Sequence, residues 1–171
     1  MSKSPQGNIT HSKQLADQAR KNEQDSKHLK SGLQCKYCKA IYQEKRWRPY
    51  ADLDPKYVGE LHESVCPTCH KKNSHYSDGQ ITISGKFVKE HKTEIMNLIE
   101  NIARREEKRD VLNRIERIDE EDENKTVIYT SKNDLARLLG KKLDSAYKGG
   151  KLDYNWSKED KFAEVKWVKE N

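Results

Sequence analysis

The sequence contains no apolar run approaching the roughly 20 residues that a membrane-spanning helix requires. Hydrophobic residues make up only 33% of the 171 residues, and charged residues make up 36%. Such a composition supplies too few apolar side chains for one large core. We therefore expect two small ordered units, and units of that size commonly need a metal ion or another cross-link.

Several recognition signals are also absent. The chain has neither the His-Glu-x-x-His motif of zinc proteases nor a phosphate-binding P-loop, so we expect a protein that is not an enzyme. Residues 1–8 lack the apolar core of a secretory signal peptide. We therefore expect a cytoplasmic protein with no membrane partner, in a compartment where disulfides are rare.

The net charge of +6 indicates a polyanionic partner and lies mostly in the N-terminal half. Residues 1–80 carry 14 basic and 9 acidic residues, which is +5 of the total. Residues 1–30 are polar, basic and almost free of aromatics, which predicts a disordered basic tail. A tail of this kind either contacts nucleic acid or keeps the protein soluble, and both interpretations stay open.

The most informative feature is a pair of Cys-x-x-Cys motifs. They place Cys35 with Cys38 and Cys66 with Cys69, separated by 27 residues. Four thiolates can surround one tetrahedral ion, and zinc accepts soft thiolate ligands without imposing another geometry. We predict one structural Zn²⁺ bound by these four residues, with no open position for catalysis.

Other readings of these cysteines fit less well. Neither pair opens a helix in the strand–helix–strand context of a redox dithiol. Two disulfides would need an oxidising compartment, and an iron–sulfur cluster is less consistent with two separated knuckles. His70, which follows Cys69, is a possible substitute ligand.

The predicted fold class is α+β. Short strands around the cysteine pairs, together with the alternating strand at residues 80–84, predict a zinc ribbon over residues 31–84. Residues 85–171 read as a domain of order αββαββ, with a mainly antiparallel four-stranded sheet covered by two helices on one face. The first helix of this domain would run to about residue 107. Trp156 and Trp167 would lie in the core of the domain, the alternative being an exposed platform on which bases stack.

Cys66-Pro67-Thr68-Cys69 through residues 79–85, joined to Cys35-x-x-Cys38, resembles a known zinc ribbon. The similar region is the N-terminal part of the adaptor that exports the large ribosomal subunit from the nucleus, and of its archaeal relatives. A group of short stand-alone prokaryotic proteins shares this ribbon and continues into segments like Phe87…His91…Glu94-Ile95-x-Asn97-Leu98-Ile99 and Leu135-Ala136-Arg137…Gly140. The resemblance spans residues 33–168, and it implies a zinc ribbon associated with the ribosome or another structured RNA.

Two groups of basic and aromatic residues are candidate RNA contacts, in which cations neutralise phosphates and rings stack on unpaired bases. They are Lys45, Arg46, Trp47, Arg48, Lys71, Lys72, His75 and Tyr76. In the alternative interpretation, the rings pack the ribbon and the cations are solvated.

Two other functions remain open. One is a zinc-stapled protein–protein adaptor without nucleic-acid contact, which would bind its partner through residues 85–171 because the charge there is balanced. The other is a thiol redox sensor that releases zinc on oxidation.

Overall fold

The structure is a computed structural model that describes residues 31–73, 76–156 and 162–171. These residues form two compact units, with the division between Tyr76 and Ser77. The fold is α+β with mainly antiparallel sheets, as predicted. The predicted basic tail lies outside the described residues.

None of the helices in the described ranges is long and apolar enough to cross a bilayer.

The N-terminal unit is a small sheet in the order β3-β2-β1-β4, followed by one short helix. Strand β1 pairs antiparallel with β2 and parallel with β4, and β2 pairs antiparallel with β3. Two 3-10 turns connect β3 to β4. The elements are β1 Leu33–Cys35, β2 Ile41–Gln43, β3 Arg46–Arg48, turns Tyr50–Asp52 and Pro55–Tyr57, β4 His62–Ser64 and α1 Pro67–Asn73.

The core of this unit is very small. Apart from the cysteines, its buried apolar side chains among the described residues are Ala40, Ile41, Tyr42 and Trp47. So few apolar side chains cannot offset the conformational entropy of the ordered chain. The unit therefore depends on a cross-link.

The C-terminal unit is a five-stranded sheet in the order β6-β7-β5-β9-β8. Strands β5 and β9 are parallel, and every other neighbouring pair is antiparallel. The elements are β5 Gly79–Ser84, α2 Lys86–Glu90, α3 Lys92–Arg109, β6 Ile115–Asp122, β7 Lys125–Thr130, α4 Asn133–Ala146, β8 Lys151–Trp156 and β9 Ala163–Val168.

Strand β5 lies at the centre of this second sheet, whereas the sequence pattern assigned it to the ribbon. Its Ile81 and Ile83 are fully buried in the C-terminal core. The division at Tyr76 and Ser77 thus differs from the predicted boundary at residue 84, and the sheet has five strands rather than four. Alternating residues specify that one face of a strand is buried, but not which strands lie beside it.

The predicted first helix is divided into α2 and α3 at His91, whose backbone angles (φ −115°, ψ 22°) are not helical. His91 stacks on Phe87 with ring centroids 4.1 Å apart. Trp167 is fully buried and confirms its predicted core position. The side chain of Trp156 lies outside the described part of the structure.

Helix α4 packs closely against the sheet at Gly140. A Cβ atom at this position would lie 2.7 Å from Val165 Cγ1 and 3.1 Å from Leu152 Cδ1. Both contacts are shorter than van der Waals distance, so glycine is what allows the helix to pack onto β8 and β9. This packing also sets the distance between the outer face of α4 and the edge strand β8.

We predict that Gly140→Ala destabilises the C-terminal unit by about 1–3 kcal/mol through overpacking. The sign of the change in unfolding free energy is informative. A Gly→Ala substitution at an open helical position would instead stabilise the protein by about 1 kcal/mol. Ser145→Ala, at an exposed position of the same helix, is the matched control and should be neutral or slightly stabilising. Denaturant unfolding measures both, and a more stable Gly140→Ala protein would contradict the packing.

We also predict that a fragment of residues 77–171 folds, whereas one of residues 85–171 does not. The shorter fragment lacks β5, and with it the backbone partners of both β7 and β9. Circular dichroism and amide NMR dispersion of the two fragments test this. Cooperative unfolding of the 85–171 fragment would instead support the boundary expected from the sequence.

Candidate metal centre

The four cysteine sulfurs converge on one point in the N-terminal unit. All four lie within 4.8 Å of one another, and no disulfide links them. The Sγ atoms of Cys38 and Cys66 are 3.7 Å apart. A tetrahedral ion with bonds of about 2.3 Å to sulfur would separate its ligands by about 3.8 Å. The arrangement is compatible with one bound metal ion.

Strand pairing brings the two motifs together. The parallel register of β1 and β4 sets Cys35 opposite Ser64, two residues before Cys66. The first knuckle closes when the N–H of Lys39 donates to the carbonyl of Cys35 at 2.9 Å, with Lys39 in the left-handed region (φ 62°). In the second knuckle, Pro67 begins α1, which carries Cys69 in its first turn.

The surroundings of the sulfurs favour a cation. Cys35 and Cys66 are fully buried, and the N–H groups of Cys66 and Cys69 each point at a cysteine sulfur at 3.4 Å. The hydrogen bond with the Cys38 thiol, together with burial, raises the pKa of Cys66. The Cys66 thiol therefore stays protonated on its own, whereas a metal cation would stabilise its thiolate.

His70 was a possible substitute ligand. Within the described residues, the group of atoms close enough to share an ion consists of the four sulfurs and no histidine nitrogen. His70 lies on α1 and its N–H donates to the carbonyl of Cys66 at 2.9 Å. Its part in the knuckle is therefore a backbone contact.

The first group of predicted RNA contacts lies on the β2–β3 hairpin. The two-residue turn is Glu44-Lys45, and both residues have positive φ angles, 50° and 64°. Lys45 and Arg46 are exposed, and no described carboxylate lies within ion-pair distance of either. Arg48 is half-buried and pairs with Glu44 at 3.2 Å.

Trp47, predicted as a stacking residue, is instead part of the core. It is 7% exposed, and its ring packs against that of Tyr42 with centroids 5.4 Å apart. Little ring surface remains for a base, so the alternative interpretation applies to this residue. The exposure of Trp47 depends on Tyr42, its partner across the hairpin. The local sequence around Trp47 does not reveal this pairing.

The second group lies on and after α1. Lys72 is exposed, Lys71 and Tyr76 are half-buried, and the N–H of Tyr76 donates to the carbonyl of Lys71 at 3.0 Å. His75 lies outside the described residues. The sheet order separates β3 from β4, the strand that leads into α1, by three strand spacings, about 14 Å. The structure therefore supports two groups rather than one continuous site.

Two exposed aromatic residues were missed in the sequence. Tyr37 is 54% exposed within the first knuckle, and Lys36 Nζ lies 5.0 Å from its ring centroid. Tyr50 is 53% exposed in the 3-10 turn that follows β3. The spacer position of Tyr37 was the available signal, because residues between two metal ligands face away from the ion.

No protein-family model matches the chain, and no curated protein or solved structure matches it either. Function is therefore inferred from the residues, the geometry of the cysteine centre and the groups around it.

We predict that the purified protein carries one metal ion and that Cys35→Ser or Cys69→Ser abolishes its binding and unfolds the N-terminal unit. A structural metal site contributes its binding free energy directly to folding, so loss of one ligand should be severe. Native mass spectrometry and elemental analysis give the stoichiometry. A folded, metal-free protein with four free thiols would contradict the prediction.

Proposed function

We propose that this protein is a non-catalytic zinc-ribbon protein that binds structured RNA and associates with the ribosome. Four thiolate donors in a compact, buried cluster suit Zn²⁺ better than the oxygen-seeking ions. A site closed by four protein ligands leaves no position for a substrate or an activated water. The zinc would therefore stabilise the unit whose surface makes the contact.

The conformation of Lys45 carries the RNA part of the proposal. Type I′ turns favour Asn-Gly because both central residues have positive φ, and here those positions hold Glu44 and Lys45. A side chain in this region costs about 1–2 kcal/mol relative to glycine. Backbone strain of this kind clusters at functional sites, which supports the hypothesis that Lys45 makes a contact. Lys45 and Arg46 together place two cations at the tip of the hairpin.

The net charge of the metal centre favours the hairpin over α1 as the main RNA contact. Four thiolates and one Zn²⁺ carry a net charge of −2, which neighbouring cations must offset. Lys36 and Lys39 adjoin ligands of the first knuckle, and Lys71 and Lys72 follow the second. The hairpin cations are farther along the chain and remain available for phosphates.

Aromatic groups complete the surface. Tyr37 and Tyr50 offer exposed rings for unpaired bases, in place of the buried Trp47. The resemblance to the ribbon of the ribosomal export adaptor supports a ribosomal RNA as the target.

The adaptor hypothesis rests on the C-terminal unit. Residues 77–171 contain 20 basic and 20 acidic residues, so the unit has no overall attraction for phosphate. Any RNA contact there would need a local concentration of cations.

We predict that Lys45→Gly stabilises the N-terminal unit by about 1 kcal/mol while weakening its RNA affinity, because the strain and the charge are removed together. Lys45→Glu combined with Arg46→Glu should weaken the affinity further and flatten its dependence on salt. Unfolding curves give the stability. Ribosome co-sedimentation and anisotropy of a labelled stem–loop RNA, each across a salt series, give the binding.

The matched control reverses two exposed cations of α3 in the C-terminal unit, Arg105→Glu with Lys108→Glu, for the same change in net charge. If both double variants lose affinity equally, the hairpin is not a specific contact. Association that is insensitive to salt and survives nuclease treatment would replace RNA binding by the adaptor function.

A further inference from the structure

The C-terminal unit is neutral overall but strongly polarised. Residues 115–123, which form β6 and its turn, contain six acidic and one basic residue. Residues 132–151, from the start of α4 to the start of β8, contain six basic and two acidic residues. Strands β6 and β8 are the two opposite edges of the sheet. The basic residues therefore lie on α4 and at its two ends, within a unit whose charges sum to zero.

A cleft of about 320 Å³ opens between α4 and β8, and two of these basic residues line it. This volume is at the lower end of the range for small-ligand sites, roughly 300–1,000 Å³. The ring of Tyr154 lies in it and is 45% exposed. The lining residues are Arg137, Lys141, Tyr154, Asn155, Ala163 and Glu164.

Two cations flank the ring. Arg137 and Lys141 are one helical turn apart and project from the same side of α4. Arg137 pairs with Asp134 at 3.3 Å, but both side chains are well exposed, and a surface pair of this kind is easily exchanged. Within the described residues, Lys141 has no carboxylate at ion-pair distance.

The acidic residue of the cleft is already engaged. Glu164 pairs with Lys166 at 3.0 Å and accepts weaker hydrogen bonds from Asn155 and Gln80. The hydrogen bond with Lys166 is the main cause that lowers the pKa of Glu164. Burial and the Asp144 carboxylate raise the pKa of Tyr154, so its phenol is neutral at physiological pH and does not repel an anion.

We propose that the cleft between α4 and β8 binds an unpaired nucleotide of single-stranded RNA, with the base on Tyr154 and the phosphate between Arg137 and Lys141. A neutral ring beside two cations matches the alternation of base and phosphate along such a strand. This site is independent of the hairpin and lies in the other unit. It adds an RNA contact where the net charge alone indicates none.

An acidic peptide added along β8 is less consistent with the same surface. Such a strand would pair with the β8 backbone and pass Asp153, an exposed carboxylate of that edge. It would also leave the Tyr154 ring without a specific role.

The test uses the full-length protein and labelled oligouridine, with a fully paired RNA duplex for comparison. Arg137→Gln with Lys141→Gln should weaken oligouridine binding about fivefold or more and reduce the salt slope by about 0.7, the value for one phosphate of a single strand. Tyr154→Leu keeps the apolar cover but removes the π face, and should weaken binding about fivefold, whereas Tyr154→Phe should retain it.

The control, Arg105→Gln with Lys108→Gln, removes one Arg and one Lys from exposed positions of α3 in the same unit and should leave the slope unchanged. If the cleft variants bind oligouridine as the control does, the proposal is overturned. It is also overturned if they lose a labelled oligoglutamate peptide but not oligouridine. The hairpin variant Lys45→Glu/Arg46→Glu is measured in parallel, so that loss of stem–loop binding there and of oligouridine binding here are scored separately.

Discussion

The convergence of four sulfur atoms is the constraint on which the N-terminal unit depends. Its strands are three residues long, and only four apolar side chains other than cysteine are buried in the described part of the unit. An ion held by two motifs 27 residues apart would restrict the unfolded chain and would fix β1 beside β4 in the folded one. Such an ion would take the place of a larger core, so that more residues of the hairpin and knuckles could stay on the surface.

The cysteine centre was predictable from sequence because its information is local: two ligands and a two-residue spacer, repeated once. The alternation in β5 was equally clear, yet it led to the wrong neighbours, because Ile81 and Ile83 define a buried face without naming β7 and β9 as partners. Trp47 shows the same limit for a single side chain. Whether its ring stacks on a base or on Tyr42 depends on the register of the hairpin, which composition and spacing do not specify.

The two units differ more in the distribution of their charged residues than in their overall amino-acid composition. In the N-terminal unit, residues 31–76 contain 8 basic and 5 acidic residues. A zinc centre with a net charge of −2 would reduce even this small positive excess. The hairpin is the proposed contact because its two cations, Lys45 and Arg46, are exposed at the turn, at a cost in backbone strain. In the C-terminal unit the charges cancel in sum, but the sheet order holds the acidic β6 and the edge strand β8 apart. The separation of acidic from basic residues, rather than an excess of either, then creates the local electrostatic potential.

The absence of a side chain at Gly140 links the basic residues of α4 to the cleft beside β8. Its missing side chain lets α4 lie against Val165 and Leu152, which brings Arg137 and Lys141, on either side of Gly140 in sequence, beside the exposed ring of Tyr154. A modest cleft of this kind would bind a single nucleotide weakly. The hairpin and the cleft lie in different units, and each owes its exposed cations to the packing of its own unit. Loss of one proposed contact therefore leaves the structural basis of the other in place.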